Sequence, residues 1–102
     1  MIQTIEIIIR HGIQENINAL LLKDKKICYL NNKKYEVSDT FIEELLKIIY
    51  LWKNEYGYDN IIDSEEFLIT VNTTDGKESF HGKGVFPNNY QNLIELLGDL
   101  DD

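Results

Sequence analysis

The chain has 102 residues, 18 of them acidic and 10 basic, for a formal net charge of −8. Phosphate binding needs clustered Lys and Arg, and Arg10 is the single arginine, so composition argues against nucleic acid and anionic membranes as partners. A length near 100, with 43% hydrophobic and 27% charged residues, predicts one globular domain over 1–102.

Residues 2–10 alternate as a strand, with Ile5, Ile7 and Ile9 on one side and Thr4, Glu6, Ile8 and Arg10 on the other. Gly12 breaks that pattern. Leu20–Leu22 and Ile27–Leu30 then flank Lys23–Lys26 as a hairpin. Asn31-Asn32 predicts a two-residue type I′ turn, because Asn tolerates positive φ. That turn pairs Leu30 with Lys33 and Cys28 with Tyr35. Cys28, Leu30, Tyr35 and Val37 then share a core face, and Ile27, Tyr29, Lys34 and Glu36 share the other.

The stretch 38–57 predicts the main helix. Ser38, Asp39 and Thr40 are all N-cap residues, and Thr40 with Glu43 fits a capping box. Phe41, Ile42, Leu45, Leu46, Ile48, Ile49, Trp52 and Tyr56 fall on one arc at helical spacing, and Gly57 is placed to end it. A loop of about eight residues, predicted from the polar and acidic run after Gly57, leads to a second hairpin, Phe67–Thr73 and Lys77–Gly82. With Asp75-Gly76 as its turn, Val71 faces Phe80 and Thr70 faces His81, and Phe67, Ile69, Val71 and Phe80 are buried. Gly82 and Gly84 make a bend. Asn88 with Gln91 then caps a last helix whose apolar side is Tyr90, Leu93, Ile94 and Leu97. These elements predict an α+β fold: a single antiparallel sheet of five or six strands with two helices packed on one face.

No constellation for catalysis emerges. Cys28 is the only cysteine, which excludes an internal disulfide and a Cys-based zinc site, and its mid-strand position on the core face predicts a buried, inert thiol. Asp59, Asp63, Glu65 and Glu66 form the densest acidic cluster, but Asn60-Ile61-Ile62 interrupts the spacing of a calcium loop. Gly82-x-Gly84 lacks the third Gly of a dinucleotide motif and the Lys-Ser/Thr of a P-loop. The expectation is therefore no catalytic residue, no metal and no cofactor. The N-terminus has no basic segment leading into a long apolar one, and no stretch reaches the ~18 apolar residues of a membrane span, which predicts a cytoplasmic protein.

Two sets of residues fit an interface better than a core. Tyr50, Leu51, Tyr58, Ile61 and Ile62 lie outside the tidy core pattern. Leu20, Ile27 and Tyr29, with Ile8 and Leu68, lie on the second face of the sheet and make it unusually apolar for a face meeting water.

Ile49-x-x-Trp52-x-x-x-Tyr56, Asp63, Phe67-x-Ile69, Asp75-Gly76, His81-Gly82-x-Gly84 and Pro87-x-Asn89-Tyr90 together resemble a pattern in a group of small bacterial α+β proteins. There a helix ending in Trp and Tyr precedes a hairpin, a Gly-x-Gly bend, a Pro-Asn step and a short helix. The resemblance covers residues 40–97, and Asp63-Ser64 stands here where the group commonly has Asp-Gly. It implies the fold and a bacterial source, and no activity.

The expectation is a non-enzymatic, acidic protein–protein interaction module of the immunity or regulatory type, meeting a basic protein or a copy of itself. The competing expectation is a small hydrolase or metal-dependent enzyme using His81 with Asp63 or Asp59. The acid is spread over the helix surface, the 59–66 loop and the C-terminal tail, which favours the first.

Overall fold

The computed structural model describes residues 1–10, 16–58 and 65–101. Its strands are β1 (Ile2–Arg10), β2 (Ile17–Leu22), β3 (Ile27–Leu30), β4 (Lys33–Glu36), β5 (Glu55–Tyr58), β6 (Glu66–Thr73) and β7 (Gly76–Lys83). Helix α1 (Asp39–Ile49) follows β4, and α2 (Tyr90–Gly98) follows β7 and runs into a 3₁₀ turn, Asp99–Asp101. One sheet joins the strands in the order β4-β3-β2-β1-β6-β7-β5, antiparallel throughout except for β5 beside β7.

The α+β character is as the sequence predicts, but the strand count is corrected from five or six to seven. The difference is β5, which forms from residues expected to end the long helix. Helix α1 stops at Ile49, with Tyr50 as its C-cap. Beyond it the Trp52 backbone N–H still closes on the Ile49 carbonyl at 3.0 Å, and the polar groups that follow bond elsewhere. The Trp52 indole N–H donates to Asn89 Oδ1 at 2.5 Å, and the Lys53 N–H donates to Tyr56 Oη at 2.8 Å. The Asn54 carbonyl accepts the His81 N–H at 2.9 Å, which ties the chain to β7 before β5 begins. Gly57 takes φ 105°, a value closed to a right-handed helix. Helical spacing of Trp52 and Tyr56 after Ile49 misled because both are drawn into the same aromatic core by a different route: Trp52 lies 5.3 Å from the Phe67 ring and Tyr56 lies 6.1 Å from it.

Ser38 is one of the three expected caps of α1, and only the Thr40–Glu43 box and the cap of α2 are corrected. Ser38 caps α1, accepting the Phe41 N–H at 3.1 Å, so the cap lies two residues before the Thr40–Glu43 box. Asn89, not Asn88, precedes α2, and its side chain makes no cap because it is held by Trp52.

The Asn31-Asn32 turn has φ 48° and 72°, and the register Cys28–Tyr35 and Leu30–Lys33 is as predicted. The second hairpin differs. Its turn pair is Thr74-Asp75, with Thr73 opposite Gly76, Ile69 opposite Phe80 and Leu68 opposite His81. Gly76 takes φ 147°, and Thr73 Oγ1 accepts the Asp75 N–H while donating to the Gly76 carbonyl. The slip is by an even number of residues, so it leaves every side chain on its predicted face.

Those faces divide sharply. Ile5, Ile7, Ile9, Ala19, Leu21, Cys28, Leu30, Phe67, Ile69, Val71 and Phe80 are buried, and they form one core cluster with Ile42, Leu45 and Ile49 of α1 and Leu93 and Leu97 of α2. Gly82 shares their face for a reason of space: a Cβ there would stand 2.6 Å from both the Phe67 ring and the Val85 carbonyl oxygen.

Candidate functional site: the second face of the sheet

Because side chains alternate along each strand, the positions between the buried ones present a second face. Register arranges them in rows. Lys34, Tyr29, Leu20, Glu6, Thr70 and Ser79 lie abreast across β4, β3, β2, β1, β6 and β7. In the next row Asn18, Ile8, Leu68 and His81 lie abreast, and on the other side Ile27, Leu22, Thr4 and Asn72 do. Ile8, Leu20, Leu22, Ile27, Tyr29 and Leu68 are thus contiguous, and none is fully buried; Tyr29 and Leu68 are each 37% exposed.

A groove of about 520 Å³ opens on this face between Ile8, Asn18, Leu20 and Tyr29, with Glu6 and Asn32 at its margins. The β3–β4 turn is fastened beside it. Asn31 Oδ1 accepts the Asn18 N–H at 2.8 Å, and the Asn31 N–H donates to the Asn18 carbonyl at 2.8 Å. These two bonds extend the β2–β3 ladder past its last residue pair and set Asn32 over the groove.

Glu6 is the charge at the centre. Its neighbours across the ladders are Leu20 and Thr70, and its neighbours along β1 on the same face are Thr4 and Ile8. Among the described residues no hydrogen bond or ion pair reaches its carboxylate. The cations of this face stand at its rim: Lys34 on β4, Arg10 at the end of β1, and Lys77 and Lys83 on β7. Lys34, the one in the row of Glu6, is three strands away, or about 14 Å at normal strand spacing.

Of the expected interface residues, Leu20, Ile27 and Tyr29 come together here. Tyr50 and Leu51 do not: they follow α1, where Leu51 is exposed and the Tyr50 ring meets Phe80 edge-on at 6.4 Å. Tyr58 falls in edge strand β5. Ile61, Ile62, Asp59, Asp63 and His11 lie outside the described residues. The expected pairing of His81 with Asp59 or Asp63 therefore falls outside them too. Among the described residues, His81 Nε2 contacts Glu66 Oε2 at 3.0 Å, and Arg10 approaches the other oxygen at 3.6 Å. That carboxylate sits between the Arg10 guanidinium and the His81 imidazole.

Cys28 and His81 lie on opposite faces, with β2, β1 and β6 between their strands, and form no dyad. Burial raises the Cys28 thiol to about 11, so it stays protonated at neutral pH. Burial, together with a hydrogen bond to Glu65, likewise pushes the Tyr90 phenol well above its ordinary value. Among the described residues no group of three His, Cys, Asp or Glu side chains is placed to hold a metal ion. No helix among them is long and apolar enough to cross a membrane.

The residue that sequence reasoning missed is Glu6. Alternation put it on the second face, but only the strand order makes β1 central and so sets this exposed carboxylate between the apolar Ile8 and Leu20 and the hydroxyl-bearing Thr4 and Thr70. Comparison with family models, curated proteins and solved structures found no match for the chain.

Proposed function

We propose that the chain is a non-enzymatic interaction module that docks a protein partner on the second face of its sheet, while both helices cover the first. The observation that carries this reading is the contiguous apolar patch of Ile8, Leu20, Leu22, Ile27, Tyr29 and Leu68 on a face that no described element covers. An antiparallel sheet with one wet face normally alternates apolar and polar residues cleanly, and this one does not over its four central strands. The size of the face supports the reading. Seven strands at ~4.8 Å spacing and some 20 Å of strand length give about 650 Å² per partner, near the lower bound of a specific interface. Tyr29 is the anchor residue, since an aromatic ring with a polar tip is the side chain most often found to dominate binding.

The test compares the two candidate patches. A tagged chain carrying Leu20→Ser with Tyr29→Ser, and another carrying Tyr50→Ser with Leu51→Ser, are used to capture partners from native lysate. The first pair loses the protein that the unaltered chain retains, and the second pair keeps it. Loss only with the second pair would move the interface to the end of α1 and overturn the proposal.

A further inference from the structure

The groove does more than offer apolar area, because a carboxylate without a counter-ion stands at its edge. We propose that it receives a single cationic side chain of the partner, a guanidinium above all, seated between Glu6 and the ring of Tyr29. This rests on the preceding assignment of the face and specifies its occupant.

Three observations carry it. Glu6 is surrounded on its own face by Thr4, Ile8, Leu20 and Thr70, and no cation of the chain reaches it among the described residues. Tyr29 lies in the same row two strands away, a gap of about 10 Å floored by Leu20. A guanidinium fits such a gap: its planar face stacks on an aromatic ring while its N–H fork meets a carboxylate. The side-chain amides of Asn18 and Asn32 at the groove add hydrogen-bonding groups for the partner's backbone. Arg10, Lys34, Lys77 and Lys83 offset the carboxylates of this face, so the attraction for such a partner is local to Glu6 and not a product of the net charge of −8. A second copy of the chain is the poorer occupant. Pairing the two faces about this centre takes two Glu6 carboxylates out of water and towards each other, and like charges there disfavour the complex.

Amide resonances report the binding directly. Three N-acetylated, C-amidated tripeptides, Leu-Arg-Leu, Leu-Lys-Leu and Leu-citrulline-Leu, are titrated into the full chain. Citrulline keeps the shape of arginine and removes its charge. The arginine peptide shifts the resonances of residues 6, 8, 18, 20 and 29 saturably, and the citrulline peptide binds there at least tenfold more weakly. Glu6→Gln, a surface change that leaves the spectrum dispersed, brings the arginine peptide down to the citrulline level.

Equal binding of the citrulline peptide would make Glu6 a solvated charge that merely keeps the face soluble, and would overturn the inference. So would shifts at those residues that follow protein concentration alone, which would give the face to a second copy. If no peptide shifts them while Leu20→Ser with Tyr29→Ser still releases the captured partner, the interaction face stands and the cation site falls. If that pair also releases nothing, both fall.

Discussion

Gly82 and Cys28 carry the clearest consequences of single side chains. At Gly82 a methyl group would meet the Phe67 ring and a backbone oxygen at 2.6 Å, and the backbone oxygen has little room to yield. Gly82→Ala is expected to cost about 2–3 kcal/mol of stability, measured by urea unfolding. The sequence marks this glycine as part of a bend, but its φ is not positive, and the need is for close approach between β7 and Phe67. Cys28 was legible as a buried thiol from its mid-strand place on the core face. With its thiol raised to about 11, iodoacetamide at pH 8 should label it only after denaturant is added. Rapid labelling of the native chain would contradict the burial of β3.

At the scale of elements, local pattern was a reliable guide where one signal acted and a poor one where two competed. The Asn31-Asn32 turn left a single register, and the structure has it. The Asp75-Gly76 pair also read as a turn, yet Thr73 Oγ1 bonds to both Asp75 and Gly76, and the turn settles on Thr74-Asp75. At the end of α1 helical periodicity continued through Trp52 and Tyr56, while the chain had already left the helix to pair with β7. A parallel edge strand of four residues leaves almost no mark in sequence. What holds this turn is the Trp52 indole on Asn89. Trp52→Phe, which deletes the donor and leaves a void where the indole's second ring packed, should cost about 2–4 kcal/mol and leave the sheet intact by circular dichroism. Ser38→Ala removes the cap of α1 and should cost about 1 kcal/mol in the same unfolding assay.

For the whole molecule, titration and charge distribution set the behaviour. Cys28, Tyr35, Tyr50 and Tyr90 all hold their protons more tightly folded than unfolded. Each therefore stabilises the fold only while protonated in both states. As pH rises past the ordinary thiol value, the unfolded chain releases protons that the native one keeps, so stability falls. Cys28 alone accounts for a loss of order 2 kcal/mol between about pH 9 and 11. Urea midpoints should be level through neutrality and drop above pH 9. The charge is partitioned: Glu6, Glu36 and Glu66 share the second sheet face with Arg10, Lys34, Lys77 and Lys83, while Asp39, Glu43, Glu44, Glu95, Asp99 and Asp101 lie on or beside the helices with Lys47. The apolar character of that face was legible in the alternation of β1, β3 and β6. Its centre on Glu6 was not, because strand order is a property of the assembled sheet.

Photo-crosslinking in the native cell puts the central claim to its most direct test. A photoreactive side chain replaces Leu68 on the second sheet face in one chain and Glu43 on the surface of α1 in another, both exposed positions whose change leaves the core untouched. A discrete adduct from position 68 and none from position 43 is the predicted result. An adduct from position 43 with none from position 68 would contradict it, placing the partner on the helices and leaving the sheet face to solvent.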